Sequence, residues 1–280
     1  MMSDWSEFPG ALPDEQIFLI GDIHGRHDAL GQVLDDIART PDIGKPRRLV
    51  SLGDVIDRGP GSIASLEALH DTPRTCGIDR LTLLPGNHEI FLLWTFDDWA
   101  AAPLWLNNGG YAVLDEIGVP HNARIERILA QVEAAIGAER LHHYRTASHA
   151  WIGDLLCVHA GLEPAASAAG RAMFLDQPHL PLSAQHWSMI REPFLSHDGF
   201  WDEDGRIVVA HGHSKAVRFG ATSKAYFAAA DQVATRRRIN LDAGSEAGEQ
   251  IGWAELRGGP EPGYRLGFGQ LRCTLEMEFK

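Results

Sequence analysis

Ile17-Phe18-Leu19-Ile20-Gly21-Asp22-Ile23-His24-Gly25 decides how the rest of the chain is read. Four successive apolar residues halted by a glycine describe a buried strand that ends in a tight turn. Just past the turn stand a carboxylate and an imidazole, both metal-ligand types. Leu30, Val33, Leu34, Ile37 and Ala38 then recur at helical spacing and stop before Pro41. The unit repeats. Arg48 to Leu52 forms a second strand, stopped by Gly53 and followed by Asp54-Val55-Ile56-Asp57-Arg58-Gly59. Ile63, Leu66 and Leu69 line a short helix, and Leu81 to Leu84 is a third strand that runs into Pro85-Gly86-Asn87-His88-Glu89. A β-α-β-α-β order predicts a mostly parallel sheet covered by helices, an α/β fold.

The remainder divides into a helical middle and a strand-rich second half. From about residue 90 to 148 the pattern is helical, with Ile125, Ile128, Leu129, Val132 and Ile136 on one face. Trp94, Phe96, Trp99 and Trp105 crowd the start of that stretch and are assigned to packing. Strands are expected at Trp151 to Val158, Ile207 to Ala210, Arg238 to Leu241 and Ile251 to Leu256. Gly258 to Gly263 forms a turn, and 271–279 alternates apolar and polar residues as a half-buried antiparallel strand does. The basic run Arg236-Arg237-Arg238 is assigned to a solvated edge. Residues 1–16 read as a polar lead-in, and 17–280 as one domain with a helical insertion at about 90–148.

Composition removes several classes of function. Lys and Arg total 25 against 38 Asp and Glu in 280 residues, a net charge of −13. That balance argues against a nucleic-acid partner held by bulk charge, while leaving room for a phosphorylated substrate held by a metal and a few arginines. The three cysteines, Cys76, Cys157 and Cys273, are far apart and form no C-x-x-C pair, which fits a reducing, cytoplasmic setting. Cys157 lies within an apolar run and is assigned to the core. No run approaches the roughly 18 apolar residues of a membrane span. Met1 to Gln16 has neither the basic nor the apolar segment of a signal peptide. No Gly-x-x-x-x-Gly-Lys phosphate loop is present.

Two later strands end as the first three do, in Val158-His159-Ala160-Gly161 and in Val209-Ala210-His211-Gly212-His213-Ser214. Carboxyl ends of parallel strands open onto one crevice. Asp22, His24, Asp54, Asn87, His159 and His213 are therefore expected in one place. Carboxylate, imidazole and amide oxygen suit Mn²⁺, Fe²⁺ or Zn²⁺ rather than a thiophilic metal. Six donors exceed the four of a structural zinc and point to two ions sharing a carboxylate.

These motifs closely resemble the calcineurin-like metallophosphoesterase superfamily, and within it the bacterial form of the phosphoprotein phosphatases that act on phosphoserine and phosphothreonine. The resemblance runs from about Ile17 to Leu256; it is most specific in the three opening motifs and looser at Trp105 to Gly110, Ile190 to Phe194 and Ile239 to Gly244. Ser214 and Ala243 stand where the family usually has threonine, and neither is a ligand position. The resemblance implies a central β-sandwich of two mixed sheets flanked by helices. It implies that Asp22 and His24 hold one metal, that Asn87, His159 and His213 hold a second, and that Asp54 bridges both. His211 is the alternative to His213, with the Gly-His-Ser context favouring His213. His88, oriented by Asp57, would protonate the leaving alkoxide, and Arg58 and Arg191 would clamp the phosphate. The implied cofactors are two divalent ions, Mn²⁺ first, with Fe or Zn²⁺ as alternatives. A hydroxide shared by the ions would attack phosphorus without a covalent phosphoenzyme.

The implied substrate is a phosphorylated protein or a small phosphoester. The alternative is symmetrical cleavage of a dinucleoside tetraphosphate to two nucleoside diphosphates. That sister family is expected to carry alanine and aspartate where this chain has Asp57 and Glu89. Glu89 is given a structural and not a catalytic role. The C-terminal tyrosine motif of the eukaryotic enzymes is absent from the sequence, so no regulatory subunit is inferred.

Overall fold

The structure is a computed structural model that describes residues 1–164, 167–180, 182–218 and 220–270. Two mixed sheets form its centre. The first has the order β1 (Ser6–Glu7), β11 (Gly263–Gln270), β10 (Gln250–Arg257), β2 (Gln16–Ile20), β3 (Arg47–Ser51) and β4 (Arg80–Leu83). The second has the order β5 (His149–Ile152), β6 (Leu155–Val158), β7 (Val208–His211), β9 (Arg238–Asn240) and β8 (Asp231–Gln232). β2, β3 and β4 run parallel with Ile20, Ser51 and Leu83 in register, so their carboxyl ends stop at one level. β6, β7 and β9 are parallel to one another in the second sheet.

The unbroken apolar run of β2 follows from burial on both faces. Ile17 and Leu19 join Val50, Leu155, Cys157, Val208 and Ile239 in a core shared by the two sheets. Phe18 and Ile20 point the other way, against the helix His27–Arg39 through Leu30, Val33 and Ile37. A third cluster, with Trp187, Phe194 and Trp201, covers the outer face of the second sheet. The implied sandwich is thus present, with helices outside.

The helical middle comprises Asn87–Asp97, Ala102–Trp105, Tyr111–Glu116, Ile125–Ile136 and Ala138–Thr146. Ile128, Val132 and Ile136 form the buried stripe of Ile125–Ile136. Residues 1–16 are tied to the first sheet: Ser6 and Glu7 pair with β11, Phe8 and Leu12 are buried, and Gln16 is the first residue of β2. Cys76 and Cys157 are buried free thiols, and burial pushes Cys157 up to about 12. Among the described residues no helix is long and apolar enough to cross a membrane.

Three expectations change. Trp151 to Val158 is not one strand but the antiparallel hairpin β5–β6, because Gly153-Asp154 supplies a two-residue turn with Gly153 at φ 62°. A strand, β11, follows the Gly258 to Gly263 turn directly, while the alternating stretch 271–279 lies outside the described residues. Arg238 is not on a solvated edge: it is buried at 1% exposure over the Phe194 ring. Its two terminal nitrogens donate to the carbonyls of Phe194 and Leu195 and to Gln232 Oε1, which offsets part of the cost of burying the charge, while Nε is buried without a partner. Those bonds anchor the segment that begins at Arg191.

Candidate active site

The strand ends carry an unusual backbone. His24, Asp54, Asp57, Arg58 and His213 all have positive φ, between 48° and 72°. Among the described non-glycine residues Arg237 alone shares that state. Each such residue costs about 1–3 kcal/mol and persists only where its surroundings dictate it. Glu89 supplies much of that constraint. Its carboxylate accepts from the backbone N–H of Asp54 (2.9 Å), Val55 (2.9 Å), Ile56 (3.2 Å) and Gly86 (2.7 Å), binding the second turn to the helix Asn87–Asp97. Glycine is required beside the carboxylates. A Cβ on Gly86 would lie 2.1 Å from Asp54 Oδ1, and one on Gly212 2.0 Å from Asp22 Oδ1.

Asp54 sits at the centre. Its carboxylate lies 3.5 Å from His24 Nε2 and 3.4 Å from His159 Nε2. It belongs to both groups of potential metal donors, His24–Asp54–His88 and Asp54–His159–His213, whose ligand atoms lie within 4.8 Å of one another in each group. Asn87 Oδ1 is 2.8 Å from His213 Nδ1 and 3.2 Å from His159 Nε2. Asp22 accepts the His213 N–H at 3.1 and 3.2 Å. The rings of His24 and His159 are aimed by carbonyls behind them: Nδ1 of His24 meets Ile56 O at 3.3 Å, and Nδ1 of His159 meets Leu52 O at 2.9 Å. A backbone acceptor on the far nitrogen is how proteins orient metal-binding imidazoles.

The donors fit divalent cations. Burial, and next the neighbouring Asp242 carboxylate, push the Asp22 carboxyl well above its usual range, a penalty that a cation bound at Asp22 would relieve. Asp54 goes the other way. Burial alone would raise it, but His159, His88 and His24 hold it well below the usual carboxylate range. His213 Nε2 and His88 Nε2 are buried without a hydrogen-bond partner. His211 belongs to neither group. Its Nδ1 faces Gly212 O, its ring lies edge-on to Phe194 at 4.8 Å, and burial drives it down to about 3.

His88 is set apart by its partner. Asp57 Oδ2 holds His88 Nδ1 at 2.8 Å, while Asp57 Oδ1 accepts the Trp105 indole N–H at 3.0 Å. Burial would lower the His88 pKa, yet Asp54 and Asp57 together outweigh it and raise it above the ordinary histidine value. Trp105, assigned from sequence to packing, is fully buried and also holds the Asp57 carboxylate. A lone tryptophan in a helical stretch carries no signal of that bond. Trp105→Phe is expected to lower kcat on an alkyl phosphate about tenfold and to move the alkaline limb of the kcat–pH profile, where His88 loses its proton, with KM little changed. Full pH profiles of both proteins check this.

Arg58 and Arg191 line the same cavity of about 510 Å³ as Asp22, His24, Asn87 and His213. Arg58 is pinned by the Trp105 to Gly110 segment, its N–H donating to Gly109 O at 3.1 Å and its Nη1 lying 3.2 Å from His24 Nε2. Arg191 is exposed at the rim. Lys215, Asp242 and Glu246 also line the cavity and were not given a role from sequence. A sixth strand end, Asn240-Leu241-Asp242-Ala243-Gly244 after β9, was the available signal for Asp242.

Two sheets share a core and potential metal donors gather at their strand ends, an arrangement that suits a metal-dependent hydrolase. The calcineurin-like phosphoesterase model matches residues 16–242, and the chain belongs to that family of metallophosphoesterases. Curated relatives divide by substrate. The chain is 38% identical over 87 residues to a symmetrical bis(5'-nucleosyl)-tetraphosphatase from Chromohalobacter salexigens, covering 31% of this chain and 28% of that protein. It is 35% identical over 94 residues to serine/threonine-protein phosphatase 2 of Escherichia coli K12, covering 34% and 38%. Both matches span well under half of the relative's length. A serine/threonine phosphatase structure from Saccharomyces cerevisiae aligns over 93% of this chain and 81% of its own, with TM-score 0.50 and 16% identity, a likeness of fold.

Proposed function

We propose that this metallophosphoesterase hydrolyses phosphomonoesters, with phosphoserine and phosphothreonine in proteins as its substrate class. The supporting observation is the 2.8 Å bond between Asp57 and His88 Nδ1, which leaves Nε2 turned into the site. A serine or threonine alkoxide needs a proton as it departs, and an imidazole with a raised pKa can hold one near neutrality. A nucleoside diphosphate leaves as a stable anion and has little use for such a group. Asp57 is thus the residue that favours the monoesterase over symmetrical tetraphosphate cleavage.

Asp22 and His24 would hold one divalent ion and Asn87, His159 and His213 a second, with Asp54 shared. Mn²⁺ is the first candidate, and Fe or Zn²⁺ suits the same donors. Bound there, the ions would polarise the phosphoryl group and make an oxygen nucleophile available near neutral pH. Arg58 and Arg191 would grip the phosphoryl oxygens with planar guanidinium forks as charge develops. His88 would deliver its Nε2 proton to the departing oxygen while Asp57 stabilises the ring. The buried free thiols of Cys76 and Cys157 fit the cytoplasmic setting proposed for the chain.

The test is ³¹P NMR of the Mn²⁺-loaded protein with a phosphothreonine peptide and diadenosine tetraphosphate in one tube. Inorganic phosphate from the peptide, with the dinucleotide intact, is the expected result. Conversion of the dinucleotide to ADP with the peptide untouched would assign the chain to the tetraphosphatases.

A further inference from the structure

The cavity contains an anion of its own. Glu246 pairs through one carboxylate oxygen with Arg58 and through the other with Lys215, and all three line the cavity that holds His24, Asp54 and Arg191. The pairing is built into the loop. Arg26 donates to the carbonyls of Ser245 (3.0 Å) and Glu246 (3.2 Å), fixing the backbone from which Glu246 projects. Asp242 ties the two segments together, its Oδ1 accepting the Gly244 N–H and its carbonyl the Ala216 N–H, each at 2.8 Å. Asn240 Nδ2 donates to Ser214 O at 2.7 Å on the Lys215 side. The two side chains are only partly covered, 29% exposed for Glu246 and 41% for Lys215, so the carboxylate can swing outward without disturbing the core.

We propose that Glu246 is an internal competitor for the phosphoryl group: it occupies Arg58 and Lys215 in the free protein, yields them to the phosphoryl oxygens on binding, and reclaims them as phosphate leaves. The inference rests on the phosphomonoesterase reading of the same site. Its physical basis is that carboxylate and phosphate oxygens are interchangeable acceptors for a guanidinium, so a phosphoryl oxygen that takes the Arg58 Nη1 position, and with it the full fork, must displace Glu246 from that nitrogen. Lys215 becomes a third substrate-binding cation beside Arg58 and Arg191. Glu246 weakens the binding of substrate and product alike, so it changes KM and phosphate inhibition and also hastens product departure.

Calorimetric titration of inorganic phosphate into the Mn²⁺-loaded protein tests this directly. Glu246→Gln and Glu246→Ala are both expected to bind phosphate about tenfold more tightly, about 1.4 kcal/mol. Lys215→Gln is expected to bind it about threefold more weakly. With p-nitrophenyl phosphate as substrate, both Glu246 variants should show lower KM and stronger inhibition by phosphate. Phosphate affinity within twofold of the parent in whichever Glu246 variant folds, or weaker, would overturn the proposal and make Glu246 a loop anchor. Tighter phosphate binding with no turnover of any monoester would support the role of Glu246 while removing the monoesterase reading. Normal turnover with unchanged phosphate affinity would do the reverse.

Discussion

Replacement of His88 by asparagine is expected to lower kcat on a phosphothreonine peptide by about 10²–10⁴-fold, the range that a positioned general acid contributes. Asparagine keeps the volume near the Asp57 carboxylate and can still donate a hydrogen bond to it, but it has no proton to give at neutral pH. The loss should be much smaller on p-nitrophenyl phosphate, whose leaving group departs without full protonation. Metal content should be unchanged, because Nδ1 of His88 is committed to Asp57 at 2.8 Å and the proposed ion set is complete without this ring. Equal losses on alkyl and aryl substrates would remove His88 from the proton-donor role. A fall in bound metal would make it a ligand, a reading that its place in the His24–Asp54–His88 group makes worth measuring.

Asp54→Asn should be as damaging by another route. The carboxylate lies between His24 and His159 and belongs to both donor groups, so losing its charge weakens both ion positions at once. Asparagine tolerates the left-handed backbone that Asp54 adopts at φ 52°, so the turn itself should survive. Turnover should fall by more than about 10²-fold, beyond the 10–100-fold typical of changes to groups that only orient a ligand. Elemental analysis after gel filtration should show metal content well below that of the parent protein. Retention of the parental metal content would show that Asp54 is not the shared ligand.

The site was legible where chemistry coincides with a strand end. Glycine-stopped apolar runs at Ile17 to Ile20, Arg48 to Leu52 and Leu81 to Leu84 mark their own boundaries, and the polar residues that follow have no other reason to interrupt them. The parallel register of β2, β3 and β4 then brings Asp22, Asp54 and Asn87 together without any long-range signal being needed. Legibility failed where a residue's partner is distant in sequence. Trp105 reaches Asp57 across 48 positions, and Glu246 reaches Arg58 across 188, with nothing local to announce either bond. Arg238 read as solvated because its neighbours are arginines, whereas its burial is set by the Phe194 and Leu195 carbonyls 44 and 43 positions away. β11 keeps its alternation, with Tyr264, Leu266 and Phe268 buried on one face, but it was hidden by Gly263, Gly267 and Gly269, which lower strand propensity on the other. The two-sheet arrangement came from family resemblance alone, since the apolar period of a strand records that both its faces are buried and not what buries them.

Anomalous X-ray scattering from crystals grown with Mn²⁺ tests the account at its centre. Two peaks are expected, one on each side of the Asp54 carboxylate, the first against Asp22 and His24 and the second against Asn87, His159 and His213. A single peak, or density placed away from Asp54, would contradict a dinuclear centre and the mechanism built upon it.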